Sequence, residues 1–265
     1  MNRIERTMRG LAEAGKKAFI PYITAGDPDS RMTVKIADSL IAGGADLIEL
    51  GIPFSDPLAD GPTIQRAVER SLGSGFHVRD IFRIVSDLRQ RTEVPLLFMT
   101  YYNIVFSYGP EKFIKDSRGS GADGMIIPDL PMEEAGEVIR ICDKYDFTLV
   151  MLVSPMTPDE RFRKIARISR GFIYYVSLTG VTGARKKLPG TVSREVAHLK
   201  KLTDVPVCVG FGISGAPQAS QISSRADGVI IGSAIINIIE KYGGNEKILL
   251  SEIRKFASGI SAAVH

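Results

Sequence analysis

The chain has 265 residues, of which 44% are hydrophobic and 24% charged, with 26 Gly, 14 Pro and a formal net charge of +4. A chain of this size buries roughly three quarters of its unfolded surface and builds a full core unaided, and this composition excludes collagen-like, coiled-coil and intrinsically disordered architectures. The 34 basic residues are spread out, with Arg185, Lys186 and Lys187 as the longest cluster, so the pattern offers no nucleic-acid face and the mild surplus suits an anionic small molecule.

Charges fill the first six residues, Met1 to Arg6, where a signal peptide needs an apolar stretch, and no apolar run approaches the ~18 residues of a membrane span. The expectation is a cytoplasmic protein that contacts no membrane. Cys142 and Cys208 form no C-x-x-C, and His77, His198 and His265 have no metal-ligand spacing, so two free thiols and no metal are expected.

Ile4, Met8 and Leu11 repeat at helical spacing and predict an N-terminal helix plugging one end of the fold. Eight short, almost continuously apolar runs then follow, at 18–24, 46–50, 95–101, 123–128, 147–153, 172–177, 206–211 and 227–231. Such runs are the signature of parallel strands covered on both faces. Between them lie helical patterns. Val34, Ala37, Leu40 and Ile41 share one stripe, and Val196, Leu199 and Leu202 follow a cap at Thr191 or Ser193. Ala45-Asp46, Ala122-Asp123 and Ala226-Asp227 each open a strand, and Val94-Pro95 and Val205-Pro206 open two more, echoes that fit a repeated βα unit. With no linker dividing the chain, the prediction is one α/β domain over 1–265, a single (β/α)8 barrel with an extra N-terminal helix. An open, doubly wound sheet is the alternative.

In such barrels the chemistry sits in the loops after the strands. Glu49 ends the second apolar run between Ile48 and Leu50, where desolvation raises a carboxylate's pKa unless it is paired, the setting of a general acid or base. A structural carboxylate bonded to a lysine or a helix end is the other reading. Asp56 and Asp60 follow in a Pro/Gly-rich loop, where aspartate also caps turns and helices. Gly210-Phe211-Gly212-Ile213-Ser214 and Gly232-Ser233 follow the last two strands, the usual place for a phosphate, although glycines also serve tight turns. The glycine-bearing stretch 178–190 suggests a lid, with a merely floppy loop as the other reading. Tyr22, Tyr101, Tyr174 and Phe211 mark strand ends on the same face; some simply fill the barrel, and together they suit a flat aromatic ligand. By themselves these residues point to carboxylate acid–base chemistry on a phosphorylated, aromatic substrate, with the reaction open.

Four stretches resemble the signatures of the tryptophan synthase α-subunit family, in that family's order and over essentially the whole chain: Pro21 to Pro28, Glu49 to Pro62, Gly180 to Arg185, and Gly210 to Ser214. The resemblance implies a lyase that splits indole-3-glycerol phosphate into indole and glyceraldehyde 3-phosphate. It implies Glu49 as the proton-shuttling acid–base and Asp60 as the carboxylate that binds the indole N–H. By the same carry-over Tyr22, Ile64, Tyr101, Ile126 and Tyr174 line the substrate pocket, with Tyr22 standing where the best-known members have Phe. Thr182 orients Asp60 as the lid closes, and Gly183, Phe211, Gly212, Gly232 and Ser233 hold the phosphate. Pro53, Phe54, Asp56 and Pro57 match the segment that contacts a β subunit, which holds pyridoxal phosphate. An α2β2 heterotetramer is implied, with no cofactor in this chain. The rivals are a stand-alone lyase, a non-catalytic activating subunit, and another phosphate-binding barrel such as indole-glycerol-phosphate synthase or a phosphoribosyl isomerase. The synthase uses a lysine within its strands, and none of the eight runs contains one.

Overall fold

Strands that are apolar on both faces require cover on both, and alternation of side chains divides each run between two environments. The computed structural model describes residues 1–57, 59–176, 192–210 and 212–265. Its elements begin with α1 (Arg3–Glu13), β1 (Ala18–Thr24), α2 (Ser30–Ala42) and β2 (Ile48–Gly51). Two helices follow β2, α3 (Pro62–Gly73) and α4 (Val78–Arg89), before β3 (Leu96–Met99). Two more, α5 (Tyr102–Tyr108) and α6 (Pro110–Ser120), lead to β4 (Gly124–Ile126). Then come α7 (Gly136–Lys144), β5 (Thr148–Val153), α8 (Asp159–Ile168), β6 (Ile173–Val176) and α9 (Val192–Leu199). The chain ends with β7 (Val207–Gly210), α10 (Ala216–Ser223), β8 (Gly228–Ile231), α11 (Ser233–Tyr242) and α12 (Glu246–Val264).

Each strand pairs in parallel with the next, and β8 pairs back onto β1, with Ala18 opposite Gly228 and Pro21 opposite Ile231. The sheet is therefore the closed eight-stranded barrel that the sequence predicts, and the open sheet is excluded. Ala18, Ile20, Leu47, Leu97, Val150, Phe172, Cys208 and Ile230 point into the lumen, and Ile4 and Met8 of α1 join them. The alternate residues, among them Phe19, Leu50, Phe98 and Val209, pack outward against the helices. The N-terminal helix is thus a plug, as expected. Asn2 caps it by accepting from the Glu5 N–H, and the Glu5 carboxylate accepts from the Asn2 N–H in return. Gly171, at φ +74°, leaves the room that Ile4 fills.

The hydrogen-bonded strands are mostly shorter than the apolar runs, because residues at the run ends turn into loops while staying buried. Tyr101, for example, already caps α5. Ser193 is not a cap. It lies within the first turn of α9, which begins at Val192, and Thr191 is outside the described residues. Both cysteines are buried free thiols.

The repeated Ala-Asp pairs have a physical cause. Asp46 accepts the backbone N–H of Phe19, Asp123 that of Leu96, and Asp227 that of Val207. Each aspartate satisfies an N–H at the start of the preceding strand in the barrel. Asp123 carries most, since its fully buried side chain also faces Arg89 at 2.8 Å and Arg3 at 3.1 Å. Removing one partner from a buried ion pair costs about 3–5 kcal/mol, whereas Asp46 and Asp227 lose a hydrogen bond and a partly exposed contact, to His265 and to Lys200, each worth about 1 kcal/mol or less. Asp123→Ala is therefore expected to destabilise the chain far more than Asp46→Ala or Asp227→Ala, a ranking that urea unfolding of the three variants checks.

Candidate active site

Glu49 shares the inward parity of Leu47 and stands in register between Tyr22 of β1 and Leu97 of β3. Only 1% of it is exposed, and neither carboxylate oxygen has a hydrogen-bond partner among the described residues. A salt bridge or helix cap, the structural reading of this glutamate, is absent among those residues. Desolvation, with a smaller contribution from the charge of Asp60, pushes its pKa up to about 8. An acid of that strength holds its proton at neutral pH and gives it up readily, which suits general acid–base catalysis.

Asp60 approaches from the β2–α3 loop. It is not the helix cap, since Gly61 occupies that position and Pro62 opens α3. Its backbone carbonyl instead accepts from Gln65 Nε2 at 2.9 Å, and its carboxylate faces Tyr101. Burial raises its pKa, and the facing Tyr101 hydroxyl opposes that rise. Asp56 is exposed and accepts from the Ser55 hydroxyl at 2.6 Å, while Pro53 is buried and Phe54 and Pro57 are half-buried.

Three tyrosines complete the wall. The Tyr22, Tyr101 and Tyr174 phenols are all raised by desolvation, and each is raised further by the nearby charge of Asp60; Glu49 acts in the same way on Tyr22 and Tyr174. The five side chains therefore converge on one space. Ile126 lines the same lumen from β4, and Ile64 is buried in the first turn of α3. The Tyr22 hydroxyl lies 3.3 Å from Thr24 Oγ1, a contact no sequence pattern announced.

Glycines make the rings fit. A Cβ on Gly51 would stand 2.1 Å from the Tyr22 hydroxyl, and one on Gly210 2.3 Å from that of Tyr174. The signal was present in the sequence, because Gly51 lies two residues beyond Glu49 and so points to the same side of β2. Overpacking costs about 1–3 kcal/mol, so Gly51→Ala should destabilise the chain by that amount. In a Tyr22→Ala background the cost should shrink, which thermal unfolding of the double-mutant cycle measures.

At the ends of β7 and β8 the chain places glycines and a helix start. Gly232 precedes α11 without a side-chain cap, Ser233 is that helix's first residue, and Gly212 has φ +79°. The partial positive charge and open N–H groups of a helix N-terminus favour a phosphate there. Thr182, Gly183, Phe211 and the 178–190 stretch lie outside the described residues. Among the described residues no group of three or more His, Cys, Asp or Glu side chains is placed to hold a metal, and no helix is long and apolar enough to cross a membrane.

Residues 8–265 match the family model described as tryptophan synthase alpha chain. A curated tryptophan synthase alpha chain from Caldanaerobacter subterraneus is 47% identical over 256 residues, covering 97% of each chain. That of Geotalea daltonii is 45% identical over 264 residues, covering 100% of this chain and 99% of the relative. The crystal structure of tryptophan synthase subunit alpha from Legionella pneumophila superposes with a TM-score of 0.92 at 40% identity, covering 100% of this chain and 98% of that one. The X-ray structure of the tryptophan synthase complex from Pyrococcus furiosus gives 0.85 at 36% identity, covering 93% and 99%.

Proposed function

The chain belongs to the tryptophan synthase alpha chain family, and from that premise we propose how its own residues perform the family's reaction. It is a lyase of tryptophan biosynthesis that cleaves indole-3-glycerol phosphate into indole and glyceraldehyde 3-phosphate. The alpha chain carries no cofactor, and pyridoxal phosphate belongs to the β subunit with which the family works.

The observation that carries the residue assignment is the pairing of Glu49, buried and without a hydrogen-bond partner among the described residues, with Asp60, whose charge it feels across the pocket. Glu49 starts protonated and delivers its proton to the ring carbon that bears the glycerol chain. The ring nitrogen becomes positive, and Asp60 accepts its N–H in a charge-assisted hydrogen bond. Glu49, now a carboxylate, takes the proton of the chain hydroxyl next to the ring. The carbon–carbon bond then breaks, its electron pair restores the aromatic indole, and the former hydroxyl carbon becomes the aldehyde of glyceraldehyde 3-phosphate. Glu49 ends protonated, ready for the next turnover.

Tyr22, Ile64, Tyr101, Ile126 and Tyr174 hold the indole, and Gly183, Phe211, Gly212, Gly232 and Ser233 the phosphate, with Thr182 orienting Asp60. Pro53, Phe54, Asp56 and Pro57 meet the β subunit in an α2β2 heterotetramer. Residues 1–265 act as one domain, in the cytoplasm. Support for these assignments comes from the converging side chains, the exposed Asp56 on the loop that carries Asp60, and the motifs shared with the family.

The test is indole release from indole-3-glycerol phosphate by the purified chain and by Glu49→Gln, each with and without a β subunit. Slow release alone, raised strongly by the partner and lost in the variant, is the expected result. Fast release indifferent to the partner would identify a stand-alone lyase, and none under any condition would overturn the assignment.

A further inference from the structure

Tyr101 does more than present a ring to the pocket. It leaves the end of β3 almost fully buried, and its ring packs on Phe54 with centroids 5.3 Å apart. Its hydroxyl accepts the backbone N–H of Ala59 at 3.0 Å and faces the carboxylate of Asp60. One side chain therefore grips the β2–α3 loop at two places, Phe54 through the ring and Ala59–Asp60 through the oxygen. A phenol has a single proton to donate. With the Ala59 N–H occupying an acceptor site on the oxygen, that proton is left for the carboxylate.

We propose that Tyr101 is a positioning residue for the cleavage: its hydroxyl, bonded to the loop at Ala59 and facing Asp60, sets where the Asp60 carboxylate stands in the pocket. This rests on the reading of Asp60 given above and adds a task to a residue that would otherwise serve only as apolar lining. The division of labour is specific, because the contact with Phe54 needs only a ring, whereas the contacts with Ala59 and Asp60 need the oxygen. Among the described residues, the groups that face Asp60 are Glu49 from β2, Tyr22 from β1, Tyr174 from β6 and Tyr101 itself, with Asp129 adding charge beside Tyr101. None is a cation. Against burial, the Tyr101 hydroxyl is the group among the described residues that favours the ionised form of Asp60.

The experiment uses the full chain with its β subunit and follows the carboxyl carbons of 13C-labelled aspartate by NMR, with Asp60→Asn identifying the Asp60 signal. In Tyr101→Phe, which keeps the ring, Asp60 should titrate at higher pH, and kcat should fall by about tenfold or more with KM nearly unchanged. The acid limb of the rate profile should move up with it. 3-Fluorotyrosine at position 101, a stronger donor of nearly the same shape, should move the Asp60 titration down, and it decides the matter if Tyr101→Phe fails to fold. An Asp60 titration indifferent to both replacements, or a change in KM alone, would overturn the proposal. Absence of indole release by the wild-type complex would instead overturn the lyase reading, while the titration would still decide the role of Tyr101.

Discussion

A Glu49→Gln chain is expected to release indole more slowly by a factor on the order of 10²–10⁴, the usual contribution of a positioned general acid or base, and to be more stable than wild type at alkaline pH. Both effects have one origin. Glutamine fills the same space between Tyr22 and Leu97 but has no proton to deliver and no charge to bury. The sign of the stability effect follows from linkage. Glu49 titrates at about 8 in the folded chain against 4.5 as its ordinary value. Below pH 4.5 it is protonated in both states and contributes no difference. As pH rises from 4.5 to 8 the unfolded chain releases this proton while the folded chain still holds it, so stability is lost, and the loss is complete above 8. Glutamine escapes it. The variant's advantage should open over that window and reach on the order of a few kcal/mol, or several degrees in melting temperature. Thermal unfolding of both proteins at pH 4 and pH 9 measures it. An equal gap at both pH values would mean that the buried carboxylate is not what limits stability there.

Much of this was legible in the sequence, and for identifiable reasons. Eight strands buried on both faces write themselves as apolar runs, and the Ala-Asp echoes mark where an aspartate must satisfy the preceding strand's N–H. Glu49 was legible because a carboxylate between Ile48 and Leu50 contradicts its surroundings, and such contradictions gather at functional sites. Asp60 was ambiguous alone, since a Pro/Gly-rich loop uses aspartate for turns; only its carbonyl contact with Gln65 and the Tyr101 hydroxyl facing its carboxylate distinguish it from Asp56, which turns to Ser55. The grip of Tyr101 on Ala59 joins residues 42 positions apart and has no sequence signature. The fit of Tyr22 over Gly51 was half legible, from the parity of β2 though not from the pairing partner. Ser193 misled because a serine before a helical pattern is a good cap, and α9 had already begun at Val192.

Asp60→Asn separates the two carboxylates' tasks. Asparagine retains a hydrogen-bond acceptor for the indole N–H but not the negative charge that stabilises the developing cation. Losing one such electrostatic contact costs about 10²–10³ in kcat. The substitution also acts on Glu49, since the charge of Asp60 is part of what raises that acid. With the charge gone, Glu49 keeps only its desolvation and must titrate at lower pH. If the reaction needs Glu49 protonated at the start, the rate of wild type falls as pH rises through about 8, and in Asp60→Asn that basic limb should move to lower pH while the maximum rate drops. The pH dependence of kcat/KM for indole release, recorded for both chains with the β subunit present, tests the two effects separately. A lower rate with an unmoved basic limb would leave Asp60 as a stabiliser of the ring cation and remove it from the tuning of Glu49. A shifted limb at undiminished rate would reverse those roles, with the geometry of β2 and its loop serving to set the strength of one acid.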